Sequence, residues 1–174
     1  QPRKGYVLLN VEPEFDTAHP DEALAALHQA EMVVVLSPFK SGLEYADVLL
    51  PIAPFTETSG SFVNAEGRLQ SFVGVVRPLA ETRPAWKVLR VLGNLLGLPG
   101  FDQDSSEQVR EQALGGDFSA RLSNVTSAMP QVAARAEGVE RFANLPIYAT
   151  DELVRNATSL QLTTDGREAA TVGL

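Results

Sequence analysis

Apolar residues arrive in this chain first as short unbroken runs and later at helical spacing, and the change of period organises it. Tyr6 to Val11 is apolar and β-favouring, as a buried strand requires. Asp16 and Thr17 are capping residue types, and Pro20-Asp21-Glu22 makes a good first turn, so a helix is expected from about Pro20 to Ala30. Its Leu24, Leu27 and Ala30 recur at helical spacing, and Met32 to Leu36 then reads as a second buried strand. A strand–helix–strand unit with short connections predicts a parallel pair with a right-handed crossover. Asp47 to Leu50 is the next strand, stopped by Pro51. After a Thr/Ser/Gly passage, Ser61–Asn64 is expected to pair with Leu69–Val76 as a hairpin, because Asn64 and Gly67 both tolerate positive φ.

Beyond the hairpin the period becomes helical. Thr82 or Arg83 caps a helix with Pro84 in its first turn and Trp86, Leu89, Leu92 and Leu96 along one face, closed by Gly97 and Pro99. A second helix is predicted over Ser105–Leu114, a weakly patterned stretch over 117–141, a last helix over about Thr150–Thr158, and a frayed tail from Thr163. The expected organisation is an α/β sheet unit with hairpin over 1–80 and a mainly helical remainder packed on it over 81–174.

Composition removes whole classes of function. A length of 174 residues suffices for one ordinary domain, and no apolar run approaches the ~20 residues of a membrane span. A net charge of −8 argues against nucleic acid, whose binding needs clustered Lys and Arg. The charge is uneven: acids dominate Glu12 to Glu31, whereas Arg77, Arg83, Lys87 and Arg90 gather in one region, as docking faces or as solvated helix faces. The absence of cysteine removes disulfides, thiolate nucleophiles and Cys-held zinc or iron–sulfur clusters. His19 and His28 lack metal-ligand spacing. There is no initiating Met, so Gln1 is expected to be an internal residue of a longer protein.

Candidate chemistry is confined to loops. Phe39, Lys40, Ser41 and Gly42 follow the second strand where open parallel sheets present ligand loops, but neither G-x-G-x-x-G nor a P-loop is there. Glu12, Glu14 and Asp16 lie at the carboxyl end of the first strand and raise acid/base catalysis; no nucleophile or metal ligand accompanies them, and capping accounts for Asp16. The loop Thr56 to Ser61 can hold an anion on backbone N–H groups or be an ordinary surface turn. Arg68 can clamp a phosphate or carboxylate, or pair with a neighbouring acid at the turn. No catalytic residue and no metal ligand is expected.

The block from Ala46 to Gln70, with its strand, proline stop, Thr/Ser/Gly loop and Asn-x-Glu-Gly-Arg turn, resembles the molybdopterin oxidoreductase superfamily. Four passages carry a nearer resemblance, to the G subunit of bacterial NADH:quinone oxidoreductase, respiratory complex I: LLNVEPEFD (Leu8–Asp16), YADVLLPIAPFTETSGSFVNAEGRLQSF (Tyr45–Phe72), RPAWKVLRVLGN (Arg83–Asn94) and LPIYATDELVRNATSLQLT (Leu145–Thr163).

That resemblance implies a partial doubly wound parallel sheet with a β-hairpin and a helical C-terminal part. It implies a non-catalytic structural domain of a peripheral-arm subunit whose complex passes electrons from NADH through FMN and iron–sulfur clusters to quinone, coupled to proton translocation. The 4Fe-4S and 2Fe-2S clusters would belong to the parent subunit, with no cofactor in this region. Partners would be the rest of the parent chain and other peripheral-arm subunits at the cytoplasmic face of the bacterial inner membrane. The alternative is a fragment of a molybdopterin-dependent dehydrogenase such as formate dehydrogenase, for which Thr56, Ser59, Gly60, Asn64 and Arg68 are the candidate pterin or anion contacts. The segment before Ala46, Ser37-Pro-Phe-Lys-Ser-Gly-Leu-Glu-Tyr45, departs from the T-E-T-type loop of molybdenum enzymes and weakens that alternative. An excised sheet leaves an open edge and a bare apolar face, so the isolated chain is expected to self-associate.

Overall fold

The computed structural model describes residues 3–115, 148–149 and 151–171. It divides into two compact units, Gln1–Leu50 with Ala133–Leu174, and Pro51–Val132.

In the first unit, β1 (Gly5–Leu9) pairs in parallel with β2 (Met32–Ser37), Gly5 opposite Met32 and Leu9 opposite Leu36, and β3 (Val48–Pro51) joins the other edge of β2. Two helices connect β1 to β2: a single turn, α1 (Pro13–Asp16), and α2 (Pro20–His28). The second is the helix expected from Leu24 and Leu27. Leu27, Val33 and Val35 form a buried cluster on which Tyr6, Leu8, Leu24 and Leu49 pack. Alternation along the strands sends Val7, Leu9, Met32 and Leu36 to the opposite face, where Val7 (55%), Leu9 (41%) and Met32 (48%) stay exposed and Leu36 is fully buried.

Asp16 does not cap α2. That helix starts at Pro20 behind His19, with no side-chain cap, whereas Asp16 ends α1 and its Oδ2 accepts from the backbone N–H of Glu12 at 2.8 Å. The C-terminal part also differs from a single helix over Thr150–Thr158 with a frayed tail. Three short helices stand in that region: α5 (Glu152–Arg155), α6 (Thr158–Gln161) and α7 (Thr164–Thr171). Asp151 caps α5 by accepting from Leu153 and Val154 N–H. The stretch 117–141 lies outside the described residues.

In the second unit, Phe55–Glu57 forms a 3₁₀ turn, and β4 (Gly60–Val63) pairs antiparallel with β5 (Leu69–Phe72). The turn closes as its residue types demand. Asn64 Oδ1 accepts from the N–H groups of Glu66 and Arg68, and Gly67 takes φ +76°. Phe55, Phe62 and Phe72 gather on the hairpin, the last two stacked at 5.0 Å. Helix α3 (Ala85–Leu95) follows Pro84, which precedes its first turn rather than lying within it. Buried Gly93 lets the Phe101 ring lie directly on α3, where a Cβ would collide with it. Helix α4 (Ser106–Leu114) starts at Ser105, whose Oγ accepts from Gln108 N–H, and stops at Gly115 with φ +76°.

Candidate functional site

The five loop candidates do not form one constellation. Asn64 holds the hairpin turn through its own side chain. Arg68 stands at the hairpin end, 71% exposed and 3.7 Å from Glu66, which is 73% exposed. Gly60 opens β4 against Phe72, and the Thr56 carbonyl accepts from Val75 and Val76 N–H. Ser59 Oγ lies 2.8 Å from Ser106 Oγ, and Ser59 also lines an open cavity of about 570 Å³ with Arg77, Arg83 and Lys87.

A denser polar cluster lies in the first unit at the carboxyl ends of β1 and β2, the end at which open α/β sheets receive ligands. Asn10, at φ +48°, turns the chain out of β1, with its N–H on the Leu36 carbonyl at 3.0 Å. That turn delivers Glu12, only 5% exposed, to the start of α1. From the C-terminal segment, Arg155 Nε donates to Glu12 Oε2 at 2.6 Å and its Nη2 to Asp16 Oδ1 at 3.0 Å. Its Nη1 donates to the Ala149 carbonyl at 2.7 Å, and the guanidinium lies 4.7 Å from the Phe15 ring centroid. One turn earlier on α5, Glu152 Oε1 accepts from buried Ser37 Oγ at 2.7 Å. Ser37 Oγ in turn accepts from Phe39 N–H and Ser41 Oγ, and Tyr45 Oη donates to Glu14 Oε2.

The electrostatics follow from burial and these partners. Burial, and the neighbouring Glu12 and Asp16 charges, raise the Glu152 carboxyl above its ordinary range against the lowering effects of the Ser37 bond and Arg155. Burial first, then the Glu14 carboxylate, raise the Tyr45 phenol. For Arg155, burial works against the charge, but hydrogen bonds to Glu12 and Asp16 outweigh it and the guanidinium is held more firmly protonated. With Arg155 and Glu12 side chains 8% and 7% exposed, this is a buried, hydrogen-bonded ion pair. It clamps two segments 143 residues apart in sequence.

Sequence reasoning placed Glu12, Glu14, Asp16 and Ser41 at this end of the sheet and missed Glu152 and Arg155. The available signal was that Leu8–Asp16 and Leu145–Thr163 both carried the family resemblance; those two passages supply the two halves of the clamp. Among the described residues there is no group of three or more His, Asp or Glu able to hold a metal ion, and no helix long and apolar enough to cross a membrane.

The sequence profile of the molybdopterin oxidoreductase family matches residues 2–95, more than half of the chain. The chain belongs to the molybdopterin oxidoreductase family. The mixed α/β fold, with its parallel strands, antiparallel hairpin and helices, is that of a fragment of such a domain. Two Staphylococcus aureus proteins, from strains USA300 and NCTC 8325 / PS 47, each bearing the name "Putative formate dehydrogenase", are 34% identical to it over 90 residues. The matched region is 51% of this chain and 9% of each relative. The family name implies a pterin cofactor, whose phosphate is anionic. The polar cluster at the strand ends does not fit such a group. Its one guanidinium is already saturated by Glu12, Asp16 and a carbonyl, Glu14 and Glu152 add carboxylates, and the nearby loop cation, Lys40, is exposed.

Proposed function

We propose that this molybdopterin oxidoreductase domain is a non-catalytic architectural element of a G-type subunit of NADH:quinone oxidoreductase. The single observation behind this reading is that the carboxyl end of its parallel sheet is occupied by its own half-buried Glu152 and buried Arg155, both partnered. A cofactor site needs donors left free for the cofactor; here they are consumed in joining the first strand and second strand to a C-terminal segment. The resemblance of the four passages supports the assignment to complex I. On this reading, 4Fe-4S and 2Fe-2S clusters, FMN and quinone chemistry belong to the parent subunit and its complex. The domain's partners are then the rest of its chain and other peripheral-arm subunits at the cytoplasmic face of the bacterial inner membrane.

A second reading, a fragment of a formate dehydrogenase, draws on the name shared by the relatives. Purification of the intact parent protein with its native partners separates the two. The architectural reading expects NADH:quinone activity and iron without stoichiometric molybdenum. Molybdenum with pterin fluorescence and formate oxidation would replace it with the second. The exposed Val7, Leu9 and Met32 on one sheet face also support self-association of the isolated chain. Light scattering is expected to show oligomers whose fraction rises with concentration, and a clean monomer throughout would contradict this.

A further inference from the structure

The cavity of the second unit carries chemistry that the architectural reading does not use. Three cations line it, Arg77, Arg83 and Lys87, against one carboxylate, Glu57. Glu57 is engaged, accepting from Leu79 N–H at 2.9 Å. None of the three cations has a carboxylate partner among the described residues: Arg83 donates to the carbonyls of Glu81 and Thr82, and Lys87 lies 5.3 Å from the Trp86 ring centroid. Surface cations are ordinarily solvated, but three around one concavity with low-dielectric walls concentrate a positive potential inside it.

Two further observations point the same way. The Trp86 indole N–H, in a residue of the cavity wall, is buried and has no acceptor among the described residues, an unfavourable state for a donor. Helix α3 begins at this wall behind Pro84, with no side-chain cap and no acid in its first turn, leaving the positive end of its dipole unanswered. The rest of the lining is mixed, with Val76, Pro78, Pro84 and the Trp86 ring beside the hydroxyl residues Thr58, Ser59 and Thr82. A close backbone approach shapes the cavity: a Cβ on Gly74 would stand 2.9 Å from the Glu57 carbonyl carbon.

We propose that this cavity binds a small organic anion, its carboxylate or phosphate held by Arg77, Arg83 and Lys87 and its body packed on Trp86 and the prolines. At about 570 Å³ the space is of small-molecule size. The inference does not depend on membership of complex I, and every residue of the site belongs to the second unit.

Trp86 is the sole tryptophan of the chain, so its fluorescence reports on the site directly. Titrating the 174-residue chain with phenyl phosphate, benzoate, inorganic phosphate and neutral benzyl alcohol distinguishes the elements of the proposal. Phenyl phosphate or benzoate is expected to give a saturable change in emission, with the tighter of the two naming the anionic group. Inorganic phosphate should bind about tenfold or more weakly for lack of a body, and benzyl alcohol should give no saturation. Arg77→Glu with Lys87→Glu, both exposed positions, should weaken binding about tenfold or more while circular dichroism stays unchanged. In the unaltered chain the apparent affinity should fall as sodium chloride is raised, which tests the charge requirement without any variant. No saturation with either organic anion, equal binding of benzyl alcohol, or affinity indifferent to salt would overturn the proposal.

Discussion

The two units handle their clustered charge in opposite ways. At the strand ends of the first, Arg155 is answered by Glu12 and Asp16, Glu152 by Ser37, and Glu14 by Tyr45. Around the cavity of the second, three cations and an indole N–H lack answering anions or acceptors of that kind among the described residues. Both are polar clusters that a sequence scan flags alike. A polar cluster's function therefore lies in what remains unpaired: a saturated cluster holds shape, whereas an unsaturated one is available to something else.

Removal of Arg155 strikes hardest at the saturated side of this contrast. Arg155→Ala leaves two carboxylates uncompensated, one of them buried, and is expected to cost about 3 kcal/mol or more, read from urea unfolding. In the second unit the packing of α3 can be disturbed without touching charge. Gly93→Ala drives a Cβ into the Phe101 ring and should cost about 1–3 kcal/mol by the same measurement.

Glu152 offers a smaller and signed effect. Its carboxyl is raised chiefly by burial, so the folded state keeps its proton to higher pH than the unfolded chain does. The associated stability is complete below the unfolded-state pKa and is lost as pH rises through the higher folded-state value. Glu152→Gln keeps an oxygen to accept from Ser37 and removes the charge, so unfolding free energies of the variant should depend less on pH across the mildly acidic range. The smallest effect is expected at Arg68. With its pair exposed to solvent, Arg68→Ala should change the melting midpoint by an amount equivalent to no more than about 0.5 kcal/mol.

The elements with a clear period were legible in the chain. The apolar runs marked β1, β2 and β3, the spacing of Leu24 and Leu27 marked α2, and Ser105 with Gly115 bounded α4 within a residue. Asn64 and Gly67 announced the hairpin because only a few residue types accept its turn. What escaped was short or distant. A one-turn helix such as α1 has no period to detect, and α5 to α7 are too short for a hydrophobic stripe to separate them. Asp16 is a capping type by composition, yet its carboxylate accepts from the Glu12 N–H and from a guanidinium 139 residues away, and no local pattern encodes that distant partner. The cavity of the second unit was half legible, in the gathering of Arg77, Arg83 and Lys87; the unpartnered indole N–H required coordinates.

A double-mutant cycle on Glu12 and Arg155 tests most directly whether the strand ends are closed by a working clamp. Unfolding free energies would be measured for the unaltered chain, Glu12→Gln, Arg155→Met and the pair. A working clamp predicts a coupling energy of about 1–3 kcal/mol, with the double variant less damaged than the sum of the singles. Losses that add to within about 0.5 kcal/mol would contradict it.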